Sequence, residues 1–408
     1  MENEEKQLKS LGFQNVPCIE KLRNTTSKNN TTTLKIAVNT RLLLKNKLEG
    51  IGWFTFETLK RISRQHPEHT FYFIFDRPYD NEFIFSDNVI PIVIGPQARH
   101  PVLFYIWFEF SVKKTLKKIQ ADLFLSPDGY GSLSTKIPTL TVIHDLNFEH
   151  FPKDLPWIIT KYYRYFFPRF AKKAKRIATV SEFSRNDIHS QYEIPLEKID
   201  VVYDGVNEMY VPIQQEDKIE TRKKYSKDCN YFIFIGALLP RKNLKNLFLA
   251  FDIFRRRHSE EVKLLIVGAE KWWTNEMEQI FCNLEFRNDI IFTGRVAAKE
   301  LNNLLGSALG LTYVSYFEGF GIPILEAFQC NTPVITSHVS SMPEVAGDAA
   351  IFCDPFNPEN IASAMFKIAN DEPFRNELIA RGQIQRNHFS WDKTADLLWK
   401  SIEKTLAK

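Results

Sequence analysis

Two successive series of short apolar runs, each run parted from the next by a stretch of helical period, restrict this 408-residue chain to parallel α/β architecture. The first series comprises Leu34–Val38, Phe71–Phe75, Val89–Ile94, Asp122–Leu125, Leu140–Ile143 and Arg176–Val180, and closes with Ile199–Val202. The second comprises Tyr231–Ile235, Lys263–Val267, Ile290–Phe292, Leu309–Val314 and Val334–Thr336. Strands covered on both faces read as continuous apolar runs rather than as alternation. The length is too great for one ordinary core. The expectation is two doubly wound, Rossmann-like domains facing a central cleft, residues 34–206 and 207–390, with the turn-rich Tyr203–Asn207 as the crossing. Residues 391–408 place Ala395, Leu398, Trp399 and Ile402 at helical spacing and predict a tail helix. Residues 1–33 end in a polar run with nothing to bury and predict a flexible extension.

In open sheets of this kind ligands bind beyond the carboxyl ends of the strands, so the turns there carry the candidates. The richest is Tyr316-Phe317-Glu318-Gly319-Phe320-Gly321-Ile322-Pro323-Ile324-Leu325-Glu326, which follows the apolar run ending at Val314. Pro323 suits a first helical turn, and Gly319 and Gly321 allow close backbone approach. The free amides around Phe320, Gly321 and Ile322 then face an anion, a phosphate being the natural guest. Glu318 in the turn and Glu326 inside the helix are acceptors for hydroxyl-rich ligands, or else plain partners of the helix dipole.

The run from Glu318 to Glu326, followed by Thr332-Pro333-Val334-Ile335-Thr336-Ser337, Met342-Pro343-Glu344-Val345 and Gly347-Asp348-Ala349-Ala350, resembles the retaining glycosyltransferases of family 4. That likeness spans roughly residues 34 to 405 and implies the two-domain GT-B fold. It implies that the paired glutamates hold a nucleotide sugar and that the tail helix packs back on the first domain.

Other turns are weighed beside it. Gly236–Asn243 follows a strand and holds Arg241 and Lys242, two cations suited to a diphosphate or else a solvated basic turn. Many relatives carry Arg directly after the glycine, where this chain has Ala237. His144, at the end of Leu140–Ile143, is by the resemblance beside the transferred sugar, orienting hydroxyls; without it, a buried histidine satisfied by its neighbours is the simpler account. A polar loop is expected from Lys45 to Gly52, with a helix from Trp53 to Arg64; the resemblance has Gly50 in that loop approaching the diphosphate. Arg295 and Val296 line a nucleobase pocket by the same likeness, while Val267-Gly268-Ala269-Glu270 is a weak candidate turn and Glu344 reads as a helix opener.

No Asp-x-Asp occurs, so the usual carboxylate pair for Mg²⁺ or Mn²⁺ is missing and metal independence is expected, with no cofactor beyond the donor substrate. Five cysteines, at 18, 229, 282, 330 and 353, stand without zinc or redox spacing and read as reduced thiols. A net charge of +4 announces no nucleic-acid partner. The amino terminus lacks signal-peptide features, and no apolar stretch is long enough to span a bilayer, so a cytoplasmic location is expected. Two aromatic, basic segments, Phe104–Lys118 and Tyr162–Arg176, are either amphipathic faces for the inner surface of an anionic membrane or core stripes with a solvated cationic side.

Together these imply a retaining, metal-independent hexosyltransferase, mannosyl or glucosyl, acting from a nucleoside diphosphate sugar onto a glycan or lipid-linked acceptor. His144, Glu318, Lys242 and Arg241 would serve the chemistry, and Gly50, Arg295, Val296, Phe320, Gly321, Ile322 and Glu326 the donor. A nucleotide-sugar epimerase of the same fold and a non-catalytic sugar-nucleotide binder are the alternatives, because fold alone does not separate them.

Overall fold

A computed structural model describes residues 33–269 and 273–407. The predicted amino-terminal extension up to residue 32, with Cys18, lies outside the described residues, as do Glu270 and Lys408.

The first sheet contains β1 (Lys35–Asn39), β2 (Thr70–Phe75), β3 (Val89–Val93), β4 (Leu123–Ser126), β5 (Thr139–Val142), β6 (Arg176–Thr179) and β7 (Ile199–Val201) in the order 3-2-1-4-5-6-7. The second contains β8 (Asn230–Ile235), β9 (Val262–Val267), β10 (Ile290–Gly294), β11 (Gly310–Tyr313), β12 (Val334–Ser337) and β13 (Ala350–Cys353) in the order 10-9-8-11-12-13. Every pairing is parallel. Each order reverses once, between β1 and β4 and between β8 and β11, and such reversals open crevices at the carboxyl edge. The edge strand β13 was not foreseen, because Ala350–Cys353 is only four residues long and follows a turn motif.

The helices that frame the cleft are α1 (Gly50–Gln65), α2 (Pro101–Ile106), α3 (Lys113–Ile119), α4 (Trp157–Lys173), α5 (Glu182–Tyr192), α6 (Leu244–Arg257), α7 (Ile322–Gln329), α8 (Met342–Ala346) and α9 (Trp391–Leu406). Helix α1 starts three residues earlier than expected, so Gly50 opens a helix rather than sitting in a loop. Glu49, in extended conformation at the cap, begins the ladder by accepting from the Trp53 N–H, and this overrides the low helix propensity of the two glycines. Helix α9 packs on α1: Arg61 Nε donates to Asp392 at 2.5 Å and the Trp399 indole stacks on His66 at 3.5 Å.

The two aromatic, basic segments divide on inspection. Phe104, Trp107, Phe108, Tyr162, Phe167 and Phe170 are buried in the core between α2, a π-helical turn at Trp107–Val112, and α4. For those residues the core-stripe reading holds. Within the same segments Tyr105, Phe110 and Tyr165 stay exposed, as do Val102, Trp157 and Ile158 just before them. Among the described residues no helix is long and apolar enough to cross a membrane.

Candidate active site

Three turns from three different strands meet at the cleft. Beyond β8 the chain makes a short 3₁₀ turn, Pro240–Lys242, and Asn243 then takes a left-handed conformation before α6. The Asn243 amide donates to the carbonyls of Val314 (2.9 Å) and Pro355 (2.6 Å), and Tyr316 N–H donates to Arg241 O (3.0 Å). The cationic turn is thereby stitched to the turn after β11, where Glu318 lies.

Glu318 is 5 % exposed and sits between both cations. Arg241 donates to its Oε2 at 2.5 Å, and Lys242 Nζ lies 2.7 Å from its Oε1. The Lys242 ammonium also donates to the Tyr313 hydroxyl at 2.6 Å. The Ser315 side chain also hydrogen-bonds to Glu318. Burial works against the charge on Glu318, yet Arg241 and Lys242 draw its pKa down to about 2. Burial likewise opposes the charge on Arg241, but Glu318 and Asp145 hold it above the ordinary value. For Lys242 burial prevails over Glu318 and the shift is downward.

Gly321, at φ +112°, caps α7 in a conformation that favours glycine, and Pro323 occupies the first turn. The Ser341 hydroxyl donates to the carbonyls of Glu318 (3.0 Å) and Phe320 (2.8 Å) and fixes the turn. The Phe320 ring turns inward onto Tyr203 and Phe389, leaving only its backbone for a ligand. One turn into α7, Glu326 is hydrogen-bonded to Tyr210, and burial raises its pKa to about 7. Tyr210 escaped the sequence reading because nothing local in the linker marks it.

His144, just past β5, presents Nε2 to Pro127 O at 2.8 Å and packs edge-on against Phe54. A carbonyl can only accept, so Nε2 carries the proton and Nδ1 keeps its lone pair; burial lowers the pKa and favours this neutral form. The second domain docks directly here. A Cβ on Gly319 would stand 2.3 Å from His144 O, so only glycine lets the turn reach this close. Ser181 Oγ donates to Gly319 O (2.7 Å) and Ser184 Oγ to His144 O (3.1 Å). Glu344, set aside from sequence as a helix opener, does lie in the first turn of α8. Its carboxylate also accepts from the backbone N–H of Glu182 (2.8 Å) and Phe183 (3.1 Å), capping α5 across the seam. Tyr316 donates to Asp154 at 2.6 Å, a further link between the domains.

Gly50 and Arg295 approach each other from the two domains. The Arg295 guanidinium donates to Glu49 at 3.0 Å, beside Gly50, whose missing Cβ faces open space. Val296 packs its side chain on the core and can offer only main chain. His66, Glu68 and His69 bring their ligand atoms within 4.8 Å of one another, but they precede β2, at the amino edge away from this site.

Such a pair of facing sheets, with its site at their carboxyl edges, defines the GT-B fold. The sequence pattern of glycosyl transferases group 1 matches residues 215–385, and that of glycosyltransferase family 4 matches residues 48–209. The O-antigen chain mannosyltransferase B of Escherichia coli is 30 % identical over 254 residues, 62 % of this chain and 67 % of its own. The O-antigen chain mannosyltransferase RfbU of Salmonella typhimurium is 28 % identical over 281 residues, 69 % and 74 % of the two chains. Anabaena Alr3699/HepE, solved with UDP-glucose, superposes with a TM-score of 0.72 at 17 % identity over 91 % of this chain and 100 % of its own. The chain belongs to the family 4 type of glycosyltransferases.

Proposed function

We propose that this enzyme moves a hexosyl unit, mannosyl or glucosyl, from a nucleoside diphosphate sugar to a hydroxyl of a growing surface or lipid-linked glycan, with retention and without a metal ion. It would work at the inner face of the membrane, where such a carrier is held. The mannosyltransferase relatives and the UDP-glucose complex of the Anabaena protein support the donor class. The observation that carries the reading is the Glu318 carboxylate, buried at the carboxyl edge of the second sheet between two cations, Arg241 and Lys242. Two cations against one carboxylate leave an excess of positive charge at this edge, which a diphosphate would meet.

In this reading Arg241, Lys242 and the first amides of α7 hold the diphosphate, and Glu326 accepts from the ribose hydroxyls. His144 Nδ1 accepts from a sugar hydroxyl; Gly50, Arg295 and Val296 complete the donor cleft. The acceptor oxygen bonds to the anomeric carbon on the face the diphosphate leaves. The C–O bond to phosphate breaks with its electron pair on the diphosphate, and the acceptor proton passes to the departing phosphate oxygen. Charge grows on that oxygen as the bond breaks, and the two cations stabilise it there. Incubation of the protein with nucleotide sugars, with and without a glycan acceptor, followed by mass spectrometry, tests the reading. Transfer only with acceptor supports it; a changed sugar on the intact nucleotide would mark an epimerase, and unchanged donor a binding protein.

A further inference from the structure

One cavity lies beside the cleft rather than in it. It is a groove of about 1110 Å³ in the first domain, walled by Lys153, Leu155, Trp157, Ile158, Lys161 and Tyr165. Three of its apolar side chains are solvent-exposed, Trp157 at 69 %, Tyr165 at 54 % and Ile158 at 46 %. Exposed aromatic area gathered in one concavity marks a binding surface more than scattered apolar residues do.

Its charge is one-sided. Helix α4 carries Lys161, Arg164, Arg169, Lys172 and Lys173 and no carboxylate. Arg164 is already paired with Glu149 at 2.9 Å. Lys161 instead lies over the Trp157 ring at 3.9 Å, and among the described residues no carboxylate pairs with Lys153 or Lys161. One end of the groove reaches the chemistry: Pro152 and Lys153 flank Asp154, which accepts from Tyr316, two residues before Glu318.

The geometry points to this groove as the seat of the acceptor's lipid carrier. An apolar chain lies over Trp157, Ile158 and Tyr165, its phosphate or diphosphate meets Lys153 and Lys161, and the attached glycan extends past Asp154 to Glu318. This rests on the proposed lipid-linked acceptor and adds its site and polarity. A concave, cation-edged volume fits a single amphiphile, whereas a bilayer surface is met by protruding side chains.

The test is calorimetric titration of the full chain with farnesyl diphosphate, with inorganic diphosphate and farnesol as separate arms, all in saturating nucleoside diphosphate so that the donor site is filled. Farnesyl diphosphate is expected to bind at least tenfold more tightly than either half alone. Lys161→Glu and Trp157→Ala are each expected to weaken it fivefold or more, with melting temperature and nucleotide-sugar affinity unchanged. Equal affinity of the variants for farnesyl diphosphate overturns the groove. So does binding to anionic phospholipid vesicles with none to farnesyl diphosphate, which marks a bilayer contact instead. Failure of the wild-type chain to bind any nucleotide sugar counts against the donor reading and leaves the groove result to stand on its own titration.

Discussion

Lys242 Nζ lies 2.7 Å from Glu318 Oε1 and 2.6 Å from the Tyr313 hydroxyl, so one ammonium serves both groups. The ammonium thus helps neutralise the buried glutamate while sharing its donors with a tyrosine. In the proposed reaction the cation that meets the leaving diphosphate also keeps Glu318 ionised, so the two roles are coupled.

In the proposed reaction Lys242→Ala removes a cation from the position where charge would develop in the transition state. Turnover is expected to fall by about 10²–10³-fold, as for loss of one preorganised donor. Donor affinity is expected to fall less. Steady-state kinetics decide, and a loss confined to KM would mean that the lysine binds ground and transition states alike.

The two glutamates are expected to part company on substitution. Glu326→Ala should weaken nucleoside diphosphate and nucleotide sugar alike, by about 1.5–3 kcal/mol for a charged hydrogen bond. Glu318→Gln frees Arg241 and Lys242 from their carboxylate, so nucleoside diphosphate should bind as well or better while turnover collapses. The same change leaves two cations without their anion and should destabilise the fold by up to about 3–5 kcal/mol. Calorimetry with both ligands and thermal melts check these outcomes; an equal loss of affinity for both ligands in Glu318→Gln would remove that residue from the sugar.

The pH dependence should carry both signs. Glu326 is raised by burial to about 7, so the folded state holds a proton that the unfolded chain has released, and stability falls as pH rises from the ordinary carboxylate range to about 7. Glu318, drawn down to about 2 against the effect of burial, contributes stability above the ordinary range that is lost as pH falls toward about 2. If the ionised Glu326 accepts from ribose, nucleoside diphosphate affinity should rise with pH through about 7 and flatten in Glu326→Gln. Melts and titrations across that range, on wild type and variant, provide the measurement.

Gly319→Ala would drive a methyl into His144 O, where only 2.3 Å is available. Overpacking of this kind costs about 1–3 kcal/mol, here concentrated at the domain seam. The expected result is a more open pair of domains in small-angle scattering and reduced turnover, with nucleoside diphosphate affinity preserved. Unchanged scattering and turnover would show that the seam yields freely.

Activity is expected to persist in excess chelator, since Arg241, Lys242 and the start of α7 supply positive potential toward the diphosphate. Full, reversible loss of transfer with EDTA would overturn metal independence.

Much of this was legible in the chain itself. Strand positions and parallel architecture follow from continuous apolar runs such as Tyr231–Ile235, because burial on both faces is a local demand on side-chain type. The turn Glu318–Ile322 announced itself because glycine, proline and carboxylate act on the backbone within a few residues. The start of α1 at Gly50 did not, since a helix can absorb two weak formers when its ladder is already nucleated. Partnerships were invisible wherever they join distant segments. Glu318 with Lys242 and Arg241, Tyr210 with Glu326, Tyr316 with Asp154, and Glu344 with α5 each depend on how far the crossovers carry one strand end past another. The sequence by itself therefore determined which chemical groups stand at the carboxyl edges. The tertiary structure alone decided which of them touch, because hydrogen bonds and ion pairs act over a few ångströms while the periodicity that builds each element carries no information about its neighbour across the cleft.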